Sequence, residues 1–142
     1  MKVRELMTRT VETVGPEQTA REAASFMLSA DTGSIPVIED DRLIGMITDR
    51  DIAVRGVAQG YGPETLVRDL MSDDLICARE EDDVESAAAR MSEAQVRRLP
   101  VIDDEERLCG MVSLGDLSRE TADETASVAL EGVSQPGGKH QQ

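Results

Sequence analysis

The chain has 142 residues, of which 39% are hydrophobic and 1% aromatic, with Phe26 and Tyr61 its only phenylalanine and tyrosine and no tryptophan. That length suits an ordinary compact domain, and its core must be aliphatic. A formal net charge of −14, from 29 acidic against 15 basic residues, repels phosphate backbones and anionic lipid surfaces, so neither nucleic acid nor membrane is an expected partner. Met1 is followed by charged and polar residues rather than an apolar signal core, and no apolar run approaches the ~20 residues that span a bilayer; the expected location is the cytoplasm.

Taken in order, the chain is one unit written twice. VRELMT at Val3 to Thr8 returns as VRDLMS at Val67 to Ser72, and IPVIED at Ile35 to Asp40 returns as LPVIDD at Leu99 to Asp104, at the same offset. Past Arg107 the offset has grown by one residue, as an insertion at a hairpin tip allows. Thr10 to Val14 reads as a short strand ending before Gly15 and Pro16, and Leu75 to Ala78 takes its place in the second copy. A helix follows, with Ala20, Ala23, Ala24, Met27 and Leu28 on one face and Thr19 with Glu22 as a capping box. The second copy puts Val84, Ala87, Ala88 and Met91 on that face, with Asp83 at the cap.

Two strands come next, Ile35 to Glu39 and Leu43 to Thr48, joined by the acidic turn at Asp40, Asp41 and Arg42; the second copy turns through Asp103 to Arg107. A second helix is predicted from about Asp49 to Ala58, and Gly60, Tyr61, Gly62 and Pro63 then separate the units. Each unit reads βαββα, too small to bury both faces of its own sheet. The expected fold is therefore α+β, two tandem repeats packed sheet to sheet with pseudo-twofold symmetry and two related clefts where they meet. The repeats span 1–62 and 63–120. Residues 121–142 are expected to form a helix with Ala122, Ala126, Ala129, Leu130 and Val133 on one face, then a mobile tail in which His140 is incidental.

The residues that draw attention are Gly45 to Asp51, GMITDRD, and Gly110 to Asp116, GMVSLGD. Thr48 with Asp51, and Ser113 with Asp116, have the spacing of a capping box, and taken singly capping is a sufficient explanation. Together with the hPVh strands and the duplicated βαββα unit, however, these GhhTxxD motifs resemble the CBS domain, named from cystathionine beta-synthase. The resemblance runs to about Glu120. Two such repeats form a Bateman module, and stretches such as MITDRDIAVRG and QVRRLPVI are similar to small stand-alone bacterial members of the family.

The resemblance implies an adenosine-containing ligand, with AMP, ADP or ATP first, in the clefts between repeats. Its ribose diol would be held by Thr48 and Asp51 in one cleft and by Ser113 and Asp116 in the other. A carboxylate can accept from both ribose hydroxyls, each charge-assisted bond contributing about 1.5–3 kcal/mol. Capping and ribose binding are compatible, because a carboxylate has more than one acceptor site. The adenine would lie against Thr13, Val14, Ser34, Ile35 and Pro36 in one copy and Cys77, Ala78, Arg98, Leu99 and Pro100 in the other; a core-only role stands as the alternative for each apolar member.

Arg97 with Arg98 resembles the basic pair that contacts phosphates in family members, whereas the first copy has Gly33 and Ser34 there. Arg50, beside Asp51 at a helix start, is a further candidate phosphate contact. For each arginine the alternative is simple pairing with nearby carboxylates. Leu114 and Gly115 stand where the first copy has Asp49 and Arg50, which removes one such contact and leaves an empty cleft open as an outcome. Asp49 adds a second negative charge, which keeps S-adenosylmethionine as an alternative ligand.

No nucleophile, base and orienter set, phosphate loop or metal-ligand cluster is legible, so no enzyme, no obligatory cofactor and no metal site are expected. Cys77 and Cys109 are read as small buried strand residues. The acidic runs Glu80 to Asp83 and Asp103 to Glu106 are read as solvated turns and helix starts rather than cation sites. The expected function is a regulatory sensor that binds an adenosine-containing ligand and signals through homodimer rearrangement or an effector protein not identified by the sequence. The alternative is a structural interaction module with vestigial clefts.

Overall fold

The computed structural model describes residues 1–120, with side-chain surroundings as far as Leu117; the alanine-rich stretch from Ala122 and His140 lie outside the described residues. The chain divides into two compact units. One is continuous, Glu12–Leu75; the other joins Met1–Val11 to the chain from Ile76 onward. They are called here the continuous and the composite unit.

In the continuous unit, β1 (Ser34–Glu39) and β2 (Arg42–Thr48) form an antiparallel hairpin with Ser34 opposite Thr48 and Val37 opposite Gly45. Asp40 and Asp41 take φ of 53° and 65°, the double left-handed turn that matches strand twist. The strand predicted at Thr10 to Val14 contracts to a parallel bridge from Val14 to Val37, in which the Val14 amide donates to Pro36 O at 3.1 Å and the Ile38 amide to Val14 O at 2.8 Å. In the composite unit the counterpart is the two-residue β3 (Ala78–Arg79), parallel to Val101 and Ile102 of β4 (Arg98–Ile102), which pairs with β5 (Leu108–Ser113). Both first strands lose the N-terminal part of their predicted length, and both close on an amide bonded to a side chain three residues on, Gly15 N–H to Gln18 Oε1 at 2.8 Å and Arg79 N–H to Asp82 Oδ2 at 2.9 Å, which turns the chain toward the helix that follows.

Helix α1 (Ala20–Ala30) starts on the predicted box: Thr19 Oγ1 accepts from the Glu22 amide at 3.2 Å, and Glu22 accepts from the Thr19 amide at 3.3 Å. Its buried stripe is Ala20, Ala23 and Met27 with Phe26 packed beside it, so the predicted five-residue face is corrected: Ala24 is exposed and Leu28 is 87% exposed. A hairpin and one bridge offer a narrower surface than three full strands. Helix α4 (Val84–Ala94) buries Val84, Ala87, Ala88 and Met91 as the spacing predicts. Asp83 occupies its cap position without making the cap bond; its carboxylate faces Lys2 Nζ at 3.5 Å, and the Val84 amide donates instead to Met1 O at 3.1 Å.

That substitution of caps follows from where the two leading segments dock. The Val67 and Arg68 amides donate to Gln18 O and Pro16 O, and Met46 and Ser72 exchange amide bonds of 2.9 Å, all within the continuous unit. In the composite unit the Val3 and Arg4 amides donate to Asp82 O and Glu80 O, and Thr8 and Met111 exchange bonds of 2.8 and 2.9 Å. The approach is close enough to require glycine: a Cβ on Gly45 would stand 2.7 Å from Ser72 O, and one on Gly110 2.5 Å from Thr8 O. Ion pairs of Arg4 with Glu81, Arg9 with Glu80 and Arg90 with Asp82 make the acidic turn a docking edge rather than a purely solvated one.

After Thr48, helical turns run without a break but not as one α-helix. Helix α2 (Asp49–Asp51) passes into a wider π turn (Ile52–Gly56) and a 3₁₀ turn (Val57–Gln59), closed by Gly60 at φ 86°. Short α3 (Val67–Leu70) and, in the composite unit, α5 (Leu114–Glu120) complete the elements.

Candidate functional site

Both capping boxes predicted at the ends of β2 and β5 are formed. Thr48 Oγ1 accepts from the Asp51 amide at 3.0 Å while Asp51 Oδ2 accepts from the Thr48 amide at 2.9 Å. Ser113 Oγ accepts from the Asp116 amide at 3.1 Å while Asp116 Oδ2 accepts from the Ser113 amide at 2.9 Å. Each box is braced to the start of the facing strand, through the Asp49 amide to Gly33 O and the Leu114 amide to Arg97 O, both 2.9 Å. Thr48 and Asp116 are buried, and the Asp51 side chain keeps 17% of its surface. In each box the amide engages Oδ2 of the carboxylate.

Strand register then decides the neighbours of each box. Ser34 stands directly opposite Thr48, and Arg98 directly opposite Ser113, so the two copies put different chemistry at one place. The first offers a small hydroxyl; the second offers a guanidinium. Within the continuous unit Thr13 and Val14 run along the other side of β1 from β2, beside Pro36; within the composite unit Cys77 leads into β3 beside β4. Val14, Ile35, Ala78 and Leu99 belong to the two aliphatic cores, and Pro36 and Pro100 are buried as well. Half-buried Thr13, Cys77 and Arg98 are the members of these sets with side-chain surface to offer.

The charge distribution sorts the arginines. Arg68 pairs with Glu17 and Glu39, Arg79 with Asp104, and Arg107 with Asp103 and Glu105. Among the described residues Arg42, Arg50, Arg97 and Arg98 make no ion pair; Arg50 and Arg97 are exposed and Arg98 is half-buried. In so acidic a chain, a half-buried guanidinium that makes no ion pair among the described residues sets Arg98 apart from the paired arginines.

Arg55 was not singled out by the sequence analysis. Its Nη1 donates to Leu70 O at 3.3 Å and Met71 O at 3.0 Å, and its Nε lies 3.9 Å from Asp51 Oδ1. The signal was available as an acid and a base four apart on a predicted helix. Also missed was an apolar hollow of about 420 Å³ in the continuous unit, lined by Ala24, Leu28, Ile52, Val57, Tyr61 and Leu70 among others; none of the predicted ligand residues lines it.

Burial pushes the Cys77 thiol up, and it pushes up that of Cys109, where Glu80 and Asp103 add to the effect; both cysteines are free. Among the described residues no group of three or more histidine, cysteine or acidic side chains is placed to hold a metal ion, and no helix is long and apolar enough to cross a membrane.

The two repeats, each with its box, define a tandem-repeat α+β protein, and comparison with known proteins gives it a family. The CBS domain family model matches residues 3–56 and 67–123, and the chain belongs to that family as a CBS pair. It is 44% identical over 133 residues to the CBS domain-containing protein YhcV of Bacillus subtilis, covering 93% of this chain and 94% of that one. It is 35% identical over 135 residues to hypoxic response protein 1 of Mycobacterium tuberculosis, covering 94% of each. The crystal structure of that protein, with two coordinated zinc ions, superposes with a TM-score of 0.79 over 86% of this chain and all of the other. The structure of CBSX2 in complex with AMP superposes with a TM-score of 0.74 at 26% identity, covering 83% of this chain and 93% of that one.

Proposed function

We propose that this protein is a regulatory sensor module that binds an adenosine-containing ligand, with AMP, ADP or ATP first, and passes the occupied state to a second copy or an effector protein in the cytoplasm. The observation that carries the reading is Arg98, half-buried, without a carboxylate partner among the described residues, and directly across the hairpin from the Ser113 and Asp116 box. A nucleotide presents a diol and a phosphate on one small molecule, and the strand register puts a residue with a guanidinium opposite the hydroxyl of the box. The AMP complex of a related CBS pair supports it.

Each site is assigned within one unit. In the composite unit, Ser113 and Asp116 take the ribose, Arg98 and Arg97 the phosphate, and the edge formed by Cys77, Ala78, Leu99 and Pro100 faces the base. In the continuous unit, Thr48 and Asp51 take the ribose, with Thr13, Val14, Ser34, Ile35 and Pro36 at the base and Arg50 nearest a phosphate. Asp49 and Ser34 favour a neutral or cationic adenosine derivative there, and S-adenosylmethionine is the second reading for that site. No step of catalysis is assigned. Signalling requires that the ligand prefer one arrangement of the module, since equal affinity for two states shifts nothing.

Calorimetric titration with AMP, ADP, ATP and S-adenosylmethionine, repeated on Asp51→Ala and Asp116→Ala with circular dichroism as the folding check, tests the reading. Saturable binding lost in one folded variant assigns the site. Absence of saturable binding at millimolar ligand would instead favour a structural interaction module with vestigial sites.

A further inference from the structure

Arg55 makes contacts that join two features otherwise described apart. Its guanidinium is shared among three oxygens: Leu70 O and Met71 O through Nη1, and Asp51 Oδ1 at 3.9 Å from Nε. The two carbonyls end helix α3 and begin the segment in which Ser72 exchanges amide bonds with Met46. The carboxylate belongs to the box at the candidate ribose site, where Oδ2 is already engaged by the Thr48 amide and Oδ1, which faces Arg55, is the oxygen with acceptor capacity left for a diol.

We propose that Arg55 is a positioning residue that couples the Asp51 carboxylate to the Leu70–Ser72 segment. The Asp51 charge holds the guanidinium in register over the two carbonyls, so a ligand hydroxyl that takes Oδ1 weakens that hold and loosens the segment. The guanidinium is suited to this because its planar fork presents donors in fixed directions to several oxygens at once. The π turn that carries Arg55, Ile52–Gly56, is a wide turn of the sort that recurs at functional sites. The coupling is confined to one copy: the repeat register aligns Arg55 with Glu120, as it aligns Asp51 with Asp116, and a carboxylate cannot donate to the carbonyls that follow the other leading helix turn. The ligand half of the proposal rests on the function proposed above; the apo half does not.

The test is a double-mutant cycle read by amide hydrogen exchange on the whole chain. Asp51→Asn keeps an oxygen for the Thr48 amide and removes the charge facing Arg55; Arg55→Gln removes the guanidinium. Without ligand, each single variant is expected to speed exchange of the Ser72 amide about two- to five-fold, the scale of one exposed ion pair, and the double variant no further than either single one. The Thr8 amide, its counterpart in the composite unit, is expected to stay unchanged. If Asp51→Asn leaves Ser72 exchange as it was, or if the two effects multiply independently, Arg55 merely caps two carbonyls and the coupling is overturned. A second arm adds AMP: wild-type Ser72 exchange is expected to rise at saturation and the rise to be absent in Arg55→Gln that still binds AMP. A rise that persists in that variant also overturns the proposal, whereas failure of AMP to bind at all counts against the proposed function and leaves the apo cycle to decide the coupling.

Discussion

The continuous and the composite unit run through the same order of elements, and the places where they agree differ in kind from the places where they do not. Both have the hydroxyl and carboxylate box, both have the glycine under the docked leading segment, and both brace the strand start to the helix start with a 2.9 Å bond. They part at the residue across from the box, Ser34 against Arg98, and at the helix that follows it. Agreement falls on contacts the backbone cannot do without. Divergence falls on the side chains beside that frame, buried Ser34 against half-buried Arg98, whose exchange leaves the backbone bonds of the box in place.

The sharpest way to break the comparison is at the glycines. Gly110→Ala is expected to destabilise by about 3 kcal/mol, because its Cβ would meet the backbone oxygen of Thr8 at 2.5 Å and that oxygen cannot swing away as a side chain can. Gly45→Ala, with 2.7 Å to Ser72 O, is expected to lose somewhat less, and urea titration of both variants ranks them.

Exchanging the residues across from the boxes should sharpen it. Arg98→Ser is expected to weaken AMP binding about ten- to a hundred-fold, the worth of a charge-assisted contact, while adenosine binding changes little. Calorimetry with the two ligands separates loss of phosphate contact from loss of the site.

A smaller effect lies at the helix starts. Thr19→Ala removes a formed cap and is expected to cost about 1 kcal/mol, whereas Asp83→Ala, at a cap position whose bond is made by Met1 O, should stay within about 0.5 kcal/mol. Equal losses at both positions would show that the docked leading segment does not cap α4.

The smallest concerns the hairpin turns. The Asp103 carboxyl is held below its ordinary value, first by the Arg107 amide and then by the Glu105 amide and the Arg107 side chain. A lowered folded value means that the stabilisation is complete above the ordinary aspartate value near pH 4 and disappears as pH falls through the lower folded one. Asp103→Asn should therefore lower stability slightly at neutral pH, where the carboxylate's contribution is fully present, and converge with the parent protein as pH falls, flattening the acid limb of a stability profile measured by urea unfolding.

Much of this arrangement is visible along the chain because it is local. The box at Thr48 and Asp51 closes over three residues, the turn at Asp40 and Asp41 over two, and the face of α4 is a periodicity of its own sequence. What escaped notice depends on the partner surface. Leu28 looks like a core residue until α1 is seen to cover only a hairpin and one bridge, and Thr10 to Thr13 look like strand until only Val14 is found paired with β1. Near-identity of VRELMT and VRDLMS hides which segment docks where, since the residues that contact Gln18 or Asp82 do so mainly through backbone amides. Arg55 went unnoticed because two of its three oxygens belong to main-chain carbonyls fifteen or sixteen residues away, and carbonyls leave no mark in a sequence.

The exchange of leading segments also sets an order on the growing chain. Every pairing of the Glu12–Leu75 unit is available once Leu75 has left the ribosome, so that unit can close on itself during synthesis. Thr8, made long before, has its partner only when Met111 emerges. The Met1–Val11 segment is thus among the last of the described residues to be satisfied. During that interval its valine, leucine and methionine are open to other company, which makes this segment, rather than either hairpin, the place where a nascent chain of this kind is most in need of shelter.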